Sequence, residues 1–341
     1  MKLAPAMAAA LFALGALAGC AASKGPLPPT GPTEAPHVAA PQFAWNSSAG
    51  VQFWSDFVTQ TPKRDVGLPN NAVARGILAD GLSTAGYKVE TRDYAVPAVD
   101  GPAGAVKVLH VVLGVRPGSG NATVAQHAIA FGGHFDTQQG TIYGAYDNGS
   151  GAAAVVQTCT AIAKAPTNRT VLCLLFDGEE EGTWGSEEFL RDLRSSHQWT
   201  LDLYVGFDMV GLNWPGMDPG PSGTWKLYGW VDKESAPTLQ PFVNDTVHKV
   251  LGYPDSGAQV FPFNDRNSDE ATFIAAQVPT LRLAGGRAAT SWPQYHMPGD
   301  TVDAVLQFAG GRPNFEKGFG AIVTVAATVG VLSDRALLAS A

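Results

Sequence analysis

The chain has 341 residues, 22 Lys and Arg against 30 Asp and Glu, a formal net charge of −8 and only 15% charged residues. That length accommodates one large domain or two ordinary ones with a sizeable core, while an acidic chain without a basic run lacks the cations a nucleic-acid binder needs to meet phosphates. Three cysteines, none in a CxxC pair, exclude a disulfide scaffold and a zinc knuckle, so any metal falls to histidines and carboxylates.

The elements begin with an export signal. Lys2 precedes an apolar stretch over 3–18, too short for a membrane span, and Leu17-Ala18-Gly19-Cys20 forms a small-residue cleavage site ending on cysteine. These four residues resemble a bacterial lipobox. The resemblance implies a signal peptide over 1–19, lipidation of Cys20, contact with the membrane through that lipid only, and a place in the bacterial cell envelope at the periplasmic face of the outer membrane. An ordinary secretory signal is the plainer alternative. Residues 20–43, rich in Pro, Ala, Gly and Thr without apolar periodicity, read as a flexible tether. Residues 44–334 then form the folded domain, and 335–341 a tail.

Val73, Ile77, Leu78 and Leu82 recur with helical spacing over 70–84, with Asn70 or Asn71 as cap and Gly86 as stop. Strands are expected over 87–94, 106–115 and 128–132, the last two joined by the turn-rich 117–121. A helix over 151–164, a continuous apolar strand over 170–176, a helix over 186–196 and a buried strand over 203–207 follow. A short strand at 280–283 and a long helix over 315–332 complete the pattern. Unbroken apolar strands alternating with helices indicate a single α/β domain, a mixed, mostly parallel twisted sheet with helices on both faces. The segment 211–230, rich in Pro, Gly and Trp, reads as a candidate wall of a binding cleft. Cys159 and Cys173 fall on a helix and the strand after it. They read as buried free thiols, with a disulfide the alternative in an oxidising compartment.

Ligands of open α/β sheets bind beyond the carboxyl ends of the strands, and this chain carries acids or histidines at nearly every such end. One strand leads into His134-Phe135-Asp136 and then Asp147-Asn148-Gly149, the next into Asp177-Gly178-Glu179-Glu180-Glu181, the next into Asp208. The last is followed by Tyr295-His296 and Asp300-Thr301. Each piece alone suits an ordinary polar turn. Their joint placement brings imidazole and carboxylate ligands of a kind that suits zinc to one edge of the sheet, and crowded carboxylates repel one another unless cations compensate.

Taken in order, His134-x-Asp136, Gly144-x-x-Asp147-Asn148-x-Ser150-Gly151, Asp177-Gly178-Glu179-Glu180, Gly185-Ser186, Asp208-x-x-Gly211 and Tyr295-His296 with Asp300-Thr301 resemble the family M28 zinc peptidases, over roughly residues 53–332. The resemblance implies a zinc aminopeptidase-like fold of the phosphorylase/hydrolase-like type. It implies two zinc ions, with His134 and Asp208 on one, Glu180 and His296 on the other and Asp147 between them, and Glu179 as general base. Asp136 is expected to fix the His134 tautomer, Asp300 to do the same for His296, and Tyr295 to donate to the oxyanion of the tetrahedral intermediate. The implied activity is hydrolysis of N-terminal residues from peptides with free N-termini. The oligomeric state stays open. Glutaminyl cyclases, which resemble this family but use one zinc, are the nearest rival. A carboxypeptidase or a hydrolase of another amide is a further enzymatic option, and a metal- or peptide-binding lipoprotein without catalysis the remaining one. One departure is visible: Glu270 of Ser268-Asp269-Glu270 stands where many relatives carry His, and an extra acid there is a candidate contact for a free α-amino group. His37, His110, His127, His197 and His248 lie outside these motifs and read as structural or surface residues. No GxxxxGK[ST], HExxH or GxSxG pattern supports nucleotide, HExxH-type or serine hydrolase chemistry.

Overall fold

In the computed structural model, which describes residues 39–98, 105–212, 227–253, 258–263, 267–284 and 292–339, the apolar runs become strands of one sheet. The strands are β1 (Lys88–Pro97), β2 (Val106–Arg116), β3 (His127–His134), β4 (Thr170–Phe176), β5 (Thr200–Phe207), β6 (Leu227–Asp232), β7 (Ala258–Phe263) and β8 (Thr280–Ala284). They lie side by side in the order β1-β2-β4-β3-β5-β8-β6-β7. The centre, β4-β3-β5-β8, is parallel, as is β6 with β7; β1 with β2, β2 with β4 and β6 with β8 run antiparallel. The expected signal peptide, Cys20 and the expected tether as far as residue 38 lie outside the described residues, as does 213–226 of the candidate cleft wall.

The helices are α1 (Ser47–Gln60), α2 (Pro69–Thr84), α3 (Ala122–Ala125), α4 (Gly151–Ile162), α5 (Trp184–Ser196), α6 (Ala236–Asp245), α7 (Glu270–Ala275), α8 (Val302–Phe308) and α9 (Arg312–Ala339). They cover both faces, and β4 shows why its run has no polar break. Val171, Cys173 and Leu175 pack into the core shared with α1, α2, α4 and α9, while Leu172, Leu174 and Phe176 enter a second core with Phe189 of α5 and Phe273 of α7. Alternate side chains point to opposite faces, and here both faces are dry. The fold class read from the sequence is borne out.

Several local expectations are corrected. Helix α2 begins at Pro69 with Leu68 as its cap residue, which makes no side-chain bond. Proline at the first turn has no amide to satisfy, so the asparagines are released for other partners. The Asn70 amide donates to the Pro62 carbonyl at 2.5 Å, and that of Asn71 to Asp177 at 2.8 Å. Gly86, at φ +93°, does end the helix region. Cys159 and Cys173 are bonded to each other, not free, because α4 lies against β4 with the two Cα atoms 6.5 Å apart. The tail expected over 335–341 is helical through Ala339 as the end of α9. Helix α1 carries Val51, Trp54, Phe57 and Val58 into the core and was not among the expected elements.

At the amino ends of the parallel strands, opposite the catalytic-type motifs, Asp334 of α9 closes a buried cluster. Its carboxylate accepts from the Asn168 amide at 2.9 Å, the Asn168 side chain at 3.1 Å and the Arg169 amide at 2.9 Å. The Arg169 guanidinium also donates to Asp202 at 2.6 Å. Asp334→Ala strips buried donors of their acceptor and is expected to cost about 3 kcal/mol, seen as a lower urea midpoint with unchanged metal binding at the far edge.

Candidate metal centre

Parallel pairing aligns the ends of three strands. His134 is paired with Phe176 across β3 and β4, and Gly132 with Gly206 across β3 and β5, so the residues that follow emerge at one edge. Asn148 knits this edge together. Its amide donates to the carbonyls of Phe207 at 2.9 Å and His134 at 3.3 Å, while its oxygen accepts from the amides of Gly151 at 2.9 Å and Met209 at 3.0 Å. Gly133 permits the close approach, since a Cβ there would sit 2.5 Å from the Phe207 carbonyl oxygen. The turn Ala145–Ser150 carries Asp147 into the site, and the peptide between Asp147 and Asn148 is cis.

Five of the sequence-derived site residues converge as two groups around one carboxylate. Asp147 Oδ1 lies 3.6 Å from His134 Nε2, which is also 3.9 Å from Asp208 Oδ1. Asp147 Oδ2 lies 3.2 Å from His296 Nε2, itself 3.2 Å from Glu180 Oε2. His134, Asp147 and Asp208 form one cluster of potential metal ligands, and Asp147, Glu180 and His296 another. Glu179 is adjacent, with Oε2 3.7 Å from His134 Nε2, and His134, Glu179 and Glu180 make a third possible grouping. His296 holds φ at 55°, a left-handed conformation uncommon outside glycine, and Tyr295 stacks on its ring with centroids 3.7 Å apart.

The donor chemistry fits divalent cations. Asp208 Oδ1 and Glu180 Oε1 are buried oxygens without a hydrogen-bond donor, and an unsatisfied buried acceptor is costly. Burial, with the Asp147 charge beside it, pushes the Glu180 carboxyl up to about 7. Burial raises Asp269 to about 8 and lifts Glu179 well above its ordinary range. Burial would raise Asp147 too, but His134 and His296 hold it down to about 2. Acids that resist ionising near neutral pH mark a site in which negative charge outruns the protein's own cations.

The surrounding residues clamp the ligand-bearing turns. Asp136 sits 3.4 Å from His134 Nδ1, and its oxygens accept from the amides of Glu179 and Glu180, both at 3.3 Å. Asp300 was expected to orient His296. It instead accepts from the amides of Tyr146 at 2.9 Å and Asp147 at 3.0 Å, fixing the backbone that presents Asp147. Arg64, fully buried, donates to the carbonyls of Phe135, Tyr143 and Gly144 and so ties the turn after β3 to the turn before Asp147. Glu270 is no contact for a substrate amine, because it is 2% exposed and paired with Arg282 at 2.9 Å. Neither Arg64 nor Arg282 was anticipated. The signal for Arg282 was a lone charge in the apolar strand Thr-Leu-Arg-Leu-Ala, which demands a buried partner. Of the histidines outside the motifs, His110 and His127 pair with Asp93 and Asp202, and His248 bonds the Tyr253 carbonyl; none of the three belongs to the clusters of potential metal ligands.

A model of peptidase family M28 matches residues 111–309. The chain belongs to that family. Among curated relatives, aminopeptidase YwaD of Bacillus subtilis is 25% identical over 174 residues, covering 49% of this chain and 35% of that protein. The probable lipoprotein aminopeptidase LpqL of Mycobacterium tuberculosis is 27% identical over 217 residues, covering 58% and 42%. The chain therefore spans less than half the length of these relatives. Among solved structures, BSAP, a zinc aminopeptidase from Bacillus subtilis, superposes with a TM-score of 0.65 at 12% identity over 84% of this chain and 95% of its own. Porphyromonas gingivalis glutaminyl cyclase does so with a TM-score of 0.63 at 17% identity over 87% and 99%. At such identities the likeness is one of fold.

Binding of a cation to the folded state alone stabilises it by about 2.7 kcal/mol per site at a hundredfold excess over Kd. Adding a divalent cation to chelator-stripped protein is therefore expected to raise its thermal midpoint, and Asp147→Asn, which weakens both clusters at once, is expected to abolish most of the rise. An equal rise in the variant would contradict the shared role of Asp147.

Proposed function

We propose that the protein is a zinc-dependent exopeptidase that hydrolyses residues from the N-terminus of peptides. His134 and Asp208 would hold one zinc, Glu180 and His296 the other, with Asp147 between them. One observation carries the reading: the two oxygens of a single carboxylate, Asp147, face different imidazoles, at 3.6 and 3.2 Å. Membership of a peptidase family supports hydrolysis of peptide bonds. The names of YwaD and LpqL support the aminopeptidase assignment, and that of BSAP supports zinc.

Bound in pairs, zinc ions supply Lewis acidity toward both a substrate carbonyl and an attacking water. The protein's own groups do the rest. Glu179, presented beside the cluster from the turn that Asp136 clamps, takes the proton from the attacking water and returns it to the leaving amine. The neighbouring Glu180 shares that clamp, so ligand and base are held by one carboxylate. Tyr295 donates to the carbonyl oxygen as negative charge develops, a role that its stacking on His296 supports. The lipobox-like Leu17–Cys20 and the name of LpqL support a lipid-anchored protein of the cell envelope. The Cys159–Cys173 bond agrees with an oxidising compartment.

A panel of aminoacyl reporters and Gln-peptides, with and without chelator, separates this reading from the glutaminyl cyclase chemistry performed on the same fold. Chelator-sensitive release of N-terminal residues, restored by zinc, is the expected result. Pyroglutamate formation at one zinc per chain would reverse the choice. Glu179→Gln is expected to retain zinc yet lose about 10²–10⁴-fold in kcat, and wild-type turnover in that variant would refute the role of the base.

A further inference from the structure

Arg282 is the one charged residue of β8, and its guanidinium spans two acids. Nη1 donates to Glu270 Oε1 at 2.9 Å and Nη2 to Asp208 Oδ2 at 2.9 Å. All three side chains are largely sealed from solvent, at 13% exposure for Arg282, 9% for Asp208 and 2% for Glu270. The pairing follows from the sheet. β8 runs parallel to β5 with Arg282 opposite Gly206, two residues before Asp208, and Glu270 opens α7, which packs on both strands.

The consequence is a division of labour within Asp208. Oδ2 is taken by the guanidinium, whereas Oδ1 has no hydrogen-bond donor and faces His134 Nε2 at 3.9 Å. We infer that Glu270 and Arg282 act as a positioning pair that fixes Asp208 as a one-oxygen metal ligand through Oδ1. The inference rests on the two-metal reading above. A purely structural ion pair needs only Glu270 and Arg282; the planar fork here also holds a third group, in a fixed plane that a lysine ammonium does not impose. The pair carries no net charge, so its effect on a cation at Asp208 is one of orientation, with the field of Arg282 cancelled close by. Partners that orient metal ligands in this way typically govern about 10–100-fold in metal affinity.

Removing Arg282 alone would strand Glu270 as a buried charge, so the test removes both charges. Glu270→Gln with Arg282→Gln is compared with its parent, each in a His296→Ala background that leaves the cluster of His134, Asp147 and Asp208 as the principal site. Zinc is titrated in competition with a chromophoric chelator, and the thermal midpoint of the zinc-free protein is recorded beside it. The expected result is a Kd for zinc raised about 10–100-fold with little change in the zinc-free midpoint. Arg282→Lys, which keeps the charge but not the fork, is expected to recover only part of the loss; should the double variant not fold, this variant carries the comparison. Parent-like zinc affinity in the variant that is tested overturns the inference while leaving the two-metal reading intact. A parent that binds no zinc overturns that reading and the inference with it.

Discussion

Carboxylates packed a few ångströms apart and out of water repel strongly: two charges at 4 Å cost about 4 kcal/mol at an effective dielectric of about 20. At the carboxyl edge of this sheet Asp136, Asp147, Asp208, Asp269, Glu270 and Asp300 are all buried, with Glu179 and Glu180 beside them. The local structure is a set of answers to that repulsion. Asp136 and Asp300 are met by pairs of backbone amides. Glu270 and one oxygen of Asp208 are met by Arg282. Both oxygens of Asp269, the second oxygen of Asp208 and an oxygen of Glu180 remain without a donor; those of Asp208 and Glu180, with the divided Asp147, are the part that suits cations.

The scaffold makes this concentration possible by fixing the backbone that carries the charges. Parallel β3, β4 and β5 end in register, and Asn148 bonds the ends of two of them to the start of α4. Arg64 reaches the same region from the segment between α1 and α2 and spends its guanidinium on three carbonyls. Neither residue contacts a candidate metal-ligand atom. Both set where Asp147 lies, so the geometry of the site is a property of the interior and not of mobile side chains. The stacking of Tyr295 on His296 extends the same order to the one candidate ligand that is a third exposed.

How much of this was legible in the sequence depended on how local each interaction is. β3, β4 and β5 were legible because strands dry on both faces have no polar break, and their ends marked His134, Asp177 and Asp208 directly. The metal-ligand candidates were legible through motif order, which outlasts divergence in the intervening loops. Partners far apart in the chain were not. Adjacency suggested that Asp300 serves His296, whereas its bond to Tyr146 crosses 154 positions. The acceptors of Arg64 lie 71 to 80 residues away, and nothing in the surrounding Pro-Lys-Arg-Asp tells of them. The Cys159–Cys173 bond depends on how closely α4 settles on β4, a distance that a separation of 14 residues does not encode. Glu270 looked like a free acid beside a motif, and only the fold revealed the cation it neutralises.

The central claim is that the residual charge at this edge is balanced by two divalent cations that share Asp147. Diffraction from zinc-loaded crystals, recorded on both sides of the zinc absorption edge, tests it most directly. Two anomalous peaks are expected, one on the His134 and Asp208 side of Asp147 and one on the Glu180 and His296 side. A single peak under saturating zinc, or peaks that bypass Asp147, would contradict it.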